Sequence, residues 1–280
     1  GLYPQSLKIL DKAKLLAIEN EEKNIAYEIL EIEKVIESQF ITRSAENRAD
    51  DLAIQTKNLS KLNLIASKLS NLSLQLYNYL LKKGYVKNED EYQEVRQYFD
   101  DQMPEFNIKL LGFREKLWLY KAKLWYSFLT QDFLNCYKYS SKWVNLFDQN
   151  PNMIQVNPVS YLKGNHYLLE SLFYIKHKTK FSKTLLELEK NIESGLVLHN
   201  GNTEVLSFIH LYTNKINFHF LDGKFEEGTY LIAEIRKGLK KYSSKIDQHH
   251  IMLFYYKIAC LYFGMGKNRE CIAYLAKIIK

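Results

Sequence analysis

Seven histidines, three cysteines and a few adjacent carboxylates are the side chains in this chain with chemistry to offer. His249 and His250 are neighbours in sequence, so on a helix their rings diverge by about 100° and do not share one ion; they read as exposed residues at a helix start. His210 and His219 fall on nearby faces of one helix without a third ligand, which makes them core or groove residues and not a metal site. Gly264-Met265-Gly266-Lys267 looks like part of a phosphate loop. It lacks the preceding strand, and Asn268 stands where a hydroxyl would bind the metal. Asp100-Asp101 and Glu226-Glu227 lie beside turns or helix starts, where carboxylates offset the helix dipole and do not form an acid/base pair. The chain contains no nucleophile elbow, no His-Glu-x-x-His helix and no Cys/His metal spacing. The expectation is therefore no enzyme, no catalytic residue, no metal and no cofactor.

The elements that would position these residues are helices. Hydrophobic residues make up 46% of the 280, enough for a large core, while 11 Gly and 4 Pro are few for the length. That balance gives an all-α fold class. Cys136, Cys260 and Cys271 are odd in number, contain no CxxC and sit in apolar helical stretches, so they read as reduced, buried thiols of a cytoplasmic protein. No signal segment opens the chain, and Gly1 in place of Met has the look of a trimmed start. The most apolar run, 251 to 265, is interrupted by Lys257 and too short to span a bilayer, so no membrane is expected. The formal charge of +7 permits nucleic acid as a partner, but the cations are spread among 32 acids. The densest run, Arg236, Lys237, Lys240, Lys241 and Lys245, falls where a helix should end and so complements its dipole.

Pro4 begins a helix with Leu7, Leu10, Lys14 and Ala17 on one face, and Ile25, Ile29, Ile32, Val35 and Ile36 predict its partner, giving a hairpin over residues 3–40. Ser44 opens a stretch without Gly or Pro from Ile41 to Lys83, read as one long helix or two collinear ones ending at Gly84, with a coiled-coil-like spacer as the alternative. Asn88 to Glu91 starts a shorter helix that Met103-Pro104 breaks. The division expected is residues 1–104, then repeats over about 107–150, 157–196, 203–243 and 246–280, as one continuous solenoid. Turns at Gln131, Thr179, Gly223 and Gly266 are 48, 44 and 43 residues apart, longer than the roughly 34 of a standard two-helix repeat.

The last unit is the clearest. Tyr255, Ile258, Ala259 and Tyr262 make one apolar face, Gly266 ends the helix, and Cys271, Ile272, Leu275 and Ile278 build its partner. The order Tyr255, Ile258, Ala259, Tyr262, Gly266, Cys271, Leu275 resembles the tetratricopeptide signature, with Tyr255 for Trp, Ala259 for the first Gly, Cys271 for Ala and no closing Pro. The chain as a whole is similar to the diverged tetratricopeptide-like proteins common in Bacteroidota, which have no established activity.

That resemblance implies an α-α superhelix whose first helices line a concave groove. By position the groove would carry Trp118, Lys121, Trp125 and Phe128; His166, Leu169 and Phe173; His210, Thr213, Asn217 and Phe220; and Leu253, Tyr256 and Cys260. Lys121 and Asn217 stand where the carboxylate-clamp subgroup keeps a Lys and an Asn, but in different units and without the rest of the clamp. The same aromatics could instead pack between units. The function expected is a non-catalytic scaffold binding a protein or peptide. The alternatives are a peptide-responsive transcriptional regulator module and an RNA-binding repeat protein using its many Tyr. The apolar last helix, with no polar helix capping it, points to a longer natural chain or to self-association through that end.

Overall fold

The computed structural model describes residues 2–40, 46–197 and 200–279, and every regular element among them is helical. The helices are α1 (Leu2–Glu19), α2 (Lys23–Gln39), α3 (Arg48–Lys83), α4 (Glu89–Gln102), α5 (Phe113–Leu129), α6 (Phe133–Asp148), α7 (Asn152–Val156), α8 (Pro158–Tyr174), α9 (Lys178–Glu193), α10 (Gly201–Asp222), α11 (Phe225–Thr229), α12 (Ile232–Lys241), α13 (Gln248–Gly264) and α14 (Asn268–Ile279). A 3-10 turn, Ile108–Leu110, precedes α5. Ser44, expected to open α3, lies outside the described residues. The chain divides into two compact units, residues 1–132 and 133–280, with the change between α5 and α6. The reason is that α5 packs along α3, closing the first unit.

The hairpins share one turn. At Glu21, Gln131, Lys176, Gly223 and Gly266 the backbone is left-handed, with φ between 55° and 71°. After each of them the next N–H donates to the carbonyl five residues back: Glu22 to Ala17, Asp132 to Ser127, His177 to Leu172, Lys224 to His219 and Lys267 to Tyr262. This is the Schellman closure, which satisfies carbonyls the helix end leaves unpaired. The third turn therefore pivots on Lys176, not on Thr179.

In the first unit α3 is one continuous helix of 36 residues. It contacts α2 and α5 along its length, so it is a packed element and not a spacer. Leu69, Leu111 and Leu119 form the buried centre there, with Trp118 packed against them. The α1–α2 hairpin departs from the apolar reading. On α1 Lys14 and Ala17 are buried as expected, but on α2 Ile25, Ile32 and Val35 are exposed, while Lys23, Glu33 and Glu37 are buried. Paired charge outweighs apolarity here. Lys14 Nζ lies 2.7 Å from Glu33, Arg48 is 3.4 Å from Glu33 and 3.6 Å from Glu37, and Lys23 is 2.9 Å from the buried Glu115. A buried charge is tolerated only with such partners. Burial pushes the Glu33 carboxyl above its ordinary range, while Lys14 and Arg48 pull against it.

In the second unit α8 contacts α6, α9 and α10, and α10 contacts α13, which pairs with α14. The larger core joins α10 to α14 around Phe208, Ile216, Ile235, Phe254, Ile258 and Leu261. After the Gly223 turn the chain forms two short helices, α11 and α12, in place of one. The break follows a tightened turn in which the Tyr230 N–H donates to Glu227 and the Thr229 hydroxyl to the Glu226 carbonyl. Gly228 is required where it stands, because a Cβ there would meet Leu261 Cδ2 at 2.6 Å.

Candidate functional site

The polar residues that the second unit buries concentrate on α10. His210, Thr213, Asn214 and Asn217 fall at i, i+3, i+4 and i+7, one stripe of one helix, and all four are buried. The apolar stripe of the same helix, through Val205, Phe208, Ile209 and Ile216, faces the core, so α10 buries two chemically different faces. Such a helix has a neighbour on each side, and here those neighbours are α8 and α13.

The stripe is joined to both. The His210 ring stacks on His166 of α8, with centroids 4.3 Å apart and planes 20° from parallel. Asn214 Nδ2 lies 3.1 Å from His166 Nδ1 and donates to the His210 carbonyl at 2.8 Å. On the other side Lys257 Nζ of α13 donates to Asn217 Oδ1 at 2.6 Å and lies 5.9 Å from the centre of the Phe220 ring. Glu170, one turn along α8, approaches His166 Nε2 at 4.0 Å. These six side chains make a continuous polar strip across three helices.

Its electrostatics follow from burial. Desolvation pulls His166 down to about 3, helped by the positive charges of Lys257, His250 and Lys163. His210 is held well below the ordinary imidazole range by burial, then by His166, His250 and Lys163. Burial raises the Glu170 carboxyl, opposed by Lys257 and the Tyr174 hydroxyl, and lowers the Lys257 amine, opposed by Glu170 and Cys260. His166 and Glu170 retain 19% and 32% of their side-chain exposure, so they are the strip's open margin, hemmed in by protein yet reachable. Beneath them both ring nitrogens of His210, the Thr213 hydroxyl and the Asn214 oxygen have no hydrogen-bond partner among the described residues. Each such group costs about 1–3 kcal/mol. Two imidazoles held neutral, two side-chain amides, and an amine and a carboxyl that offset one another give the strip many hydrogen-bonding groups and little net charge.

Of the residues expected in a groove, His166, His210 and Asn217 are thus brought together, with Phe220 beside them. Phe173 is half-buried and packs edge-on to Tyr174 at 6.2 Å. Tyr256 is exposed on α13, and its hydroxyl is raised by the neighbouring Cys260. In the first unit Trp125 and Phe128 are buried, Trp125 against Tyr77 at 4.4 Å, and Lys121 covers the half-buried Trp118 ring at 4.5 Å. Those aromatics serve packing in that unit. Sequence reasoning passed over Asn214, Glu170 and Lys257. Asn214 was within reach, since it completes the polar i, i+3, i+4, i+7 set on α10.

The other chemistry-bearing residues have local partners. Asp247 caps α13, accepting from the His250 N–H at 2.9 Å, and His250 Nδ1 lies 2.8 Å from the same carboxylate. Gly264 to Lys267 is the Schellman turn after α13. Cys136 and Cys271 are buried and Cys260 is half-buried. Among the described residues no group of three or more His, Cys, Asp or Glu is placed to hold a metal ion, and no helix is long and apolar enough to cross a membrane. Compared with family models, with curated proteins and with solved structures, the chain has no match.

Proposed function

We propose that the hairpins of residues 133–280 stack as a tetratricopeptide-like array and that α8, α10 and α13 act as its recognition helices for a segment of another protein, without chemistry on that segment. The observation that carries this reading is the polar strip from Glu170 through His166, His210, Asn214 and Asn217 to Lys257, which crosses three helices and contains buried hydrogen-bonding atoms with no partner. Interior positions on packed helices are ordinarily apolar, and a stripe that forgoes apolar burial and leaves several of its polar atoms unpaired is explained by a ligand that completes it. A polypeptide supplies alternating N–H and C=O groups suited to a surface of mixed donors and acceptors. Phe220 and Tyr256 at the margin add ring area. In this reading the protein is a cytoplasmic scaffold with reduced thiols.

Selection from a displayed library of random peptides tests it. Enrichment of sequences sharing a pattern, with affinity that falls at least tenfold in His166→Ala, is the expected result. Enrichment of none, or binders indifferent to that substitution, contradicts it.

A further inference from the structure

Thr56, Ser127, Ser140 and Ser171 are buried, and each donates its hydroxyl to the carbonyl four residues back in its own helix. Ser207 of α10 breaks that pattern. Its side chain is also buried, at 5% exposure, yet its Oγ has no hydrogen-bond partner among the described residues. It lies at a cleft of about 680 Å³ bounded by α10, α12 and Ile192 near the end of α9. The cleft exists because the backbone of α12 stands off from α10: α11 packs on α10, whereas α12 meets α13.

Three pairings span the gap. The Tyr212 hydroxyl donates to Glu234 at 2.6 Å, the Phe208 ring fills the space where a Cβ on Gly238 would stand, and the Lys241 amine is raised by the Tyr242 hydroxyl and by Glu204 opposite it. These pairings climb α12 as they descend α10, so the helices run antiparallel, and Ser207 and Lys237, each next in sequence to the Phe208–Gly238 contact, flank the middle of the cleft. Lys237 has no ion-pair or hydrogen-bond partner among the described residues. Both carboxylates of the lining are drawn to its ends, so the middle holds two donors and no acceptor side chain. The remaining walls are Ile192, Leu211 and three rings, with Phe208 tilted by 45° against Tyr212 at 5.1 Å and against Tyr242 at 5.6 Å. A rigid plate lies flat on one such ring at a time, whereas a jointed hydrocarbon chain follows all three.

We propose that this cleft binds a medium-chain fatty acid, its carboxylate accepting from the Ser207 hydroxyl and the Lys237 amine and its alkyl chain laid over Phe208, Leu211 and Tyr212. A carboxylate gives the unpartnered hydroxyl a charge-assisted hydrogen bond and neutralises the lysine, and the cleft has the size of a small-molecule site with apolar walls and few polar groups. The site is independent of the recognition strip. Glu204, Ser207 and Leu211 fall at i, i+3 and i+7 on another face of α10, and the cleft needs none of the strip's residues.

The test is a titration of the full chain with hexanoate and octanoate below micelle-forming concentrations, read by amide NMR shifts. Saturable shifts centred on α10 and α12 are expected, with affinity rising about tenfold from hexanoate to octanoate, as two more buried CH₂ groups require. Octylamine, 1-octanol and the flat 3-phenylpropionate should each bind at least tenfold more weakly than octanoate. Lys237→Gln should bring octanoate down to the level of 1-octanol without changing the alcohol, Ser207→Ala should weaken octanoate at least threefold, and Lys240→Gln, outside the cleft, should leave it unchanged. Absence of shifts at millimolar octanoate, equal binding of the amine, the alcohol or 3-phenylpropionate, or octanoate binding unchanged in both Lys237→Gln and Ser207→Ala overturns the proposal.

Discussion

The residues that set this protein apart are buried polar ones left short of partners. Thr213 is the simplest case: its hydroxyl is buried on α10 with no hydrogen bond among the described residues, so the isosteric Thr213→Val removes a desolvated group without leaving a hole. That substitution is expected to raise stability by about 1 kcal/mol, read as a higher urea midpoint, and to weaken binding to the strip. The His166–His210 pair predicts a pH dependence. Both imidazoles titrate in the folded protein below their ordinary 6.5, so the native chain binds fewer protons than the unfolded chain in the acid range. Their stabilisation is complete above that value and is lost as pH falls towards 3. At 1.36 kcal/mol per unit, His166 alone accounts for about 2 kcal/mol lost by pH 5. The raised Glu170 carboxyl works in the opposite sense above 4.5, and the charges facing the pair are Lys163 and Glu170 from α8 and His250 and Lys257 from α13. Denaturation of His166→Gln/His210→Gln at pH 7 and pH 5 should therefore show a flatter profile than the parent. An unchanged slope would place the titration elsewhere.

At the scale of elements, close approach and turn chemistry decide how the hairpins pack. Gly164 on α8 lets the Trp143 ring of α6 lie against the backbone: a Cβ there would stand 2.7 Å from the indole nitrogen, and Trp143 is almost fully buried. Gly164→Ala gains helix propensity of up to about 1 kcal/mol but must move a locked ring, and a net loss of about 1–3 kcal/mol is expected in thermal or urea unfolding. Lys176 gives the converse case. It holds φ at 55° without being Gly, so Lys176→Gly should relieve strain and raise stability by a few tenths to about 1 kcal/mol, whereas Gly223→Ala at φ 68° should lower it. The helices were legible in the sequence because their apolar spacing and stop signals are local. Gln131, Gly223 and Gly266 could be placed as turns, while Lys176 could not, since nothing in a lysine announces left-handed backbone. The inward face of α2 was misread because periodicity ranks burial by apolarity, and Glu33 and Glu37 are buried through partners on other helices. The candidate strip was half legible for the same reason. His210 and Asn217 follow from their place on one helix, whereas Lys257 and Glu170 matter only through contacts with residues 40 or more positions away and one turn away.

For the whole molecule, the formal charge of +7 invites a polyanion, but the strip at the centre of this account is nearly neutral. Recognition by hydrogen bonds and rings should therefore change little between low and moderate salt, whereas nucleic-acid binding would fall steeply as counterions compete. The measurement that bears most directly on the central claim is calorimetric titration of a library-selected peptide into the parent chain, Asn217→Leu, Lys257→Met and the surface control Lys190→Ala. Affinity is expected to be at least tenfold weaker in the first two variants, parent-like in the control, and little changed by salt. Equal affinity across all four proteins would contradict that claim.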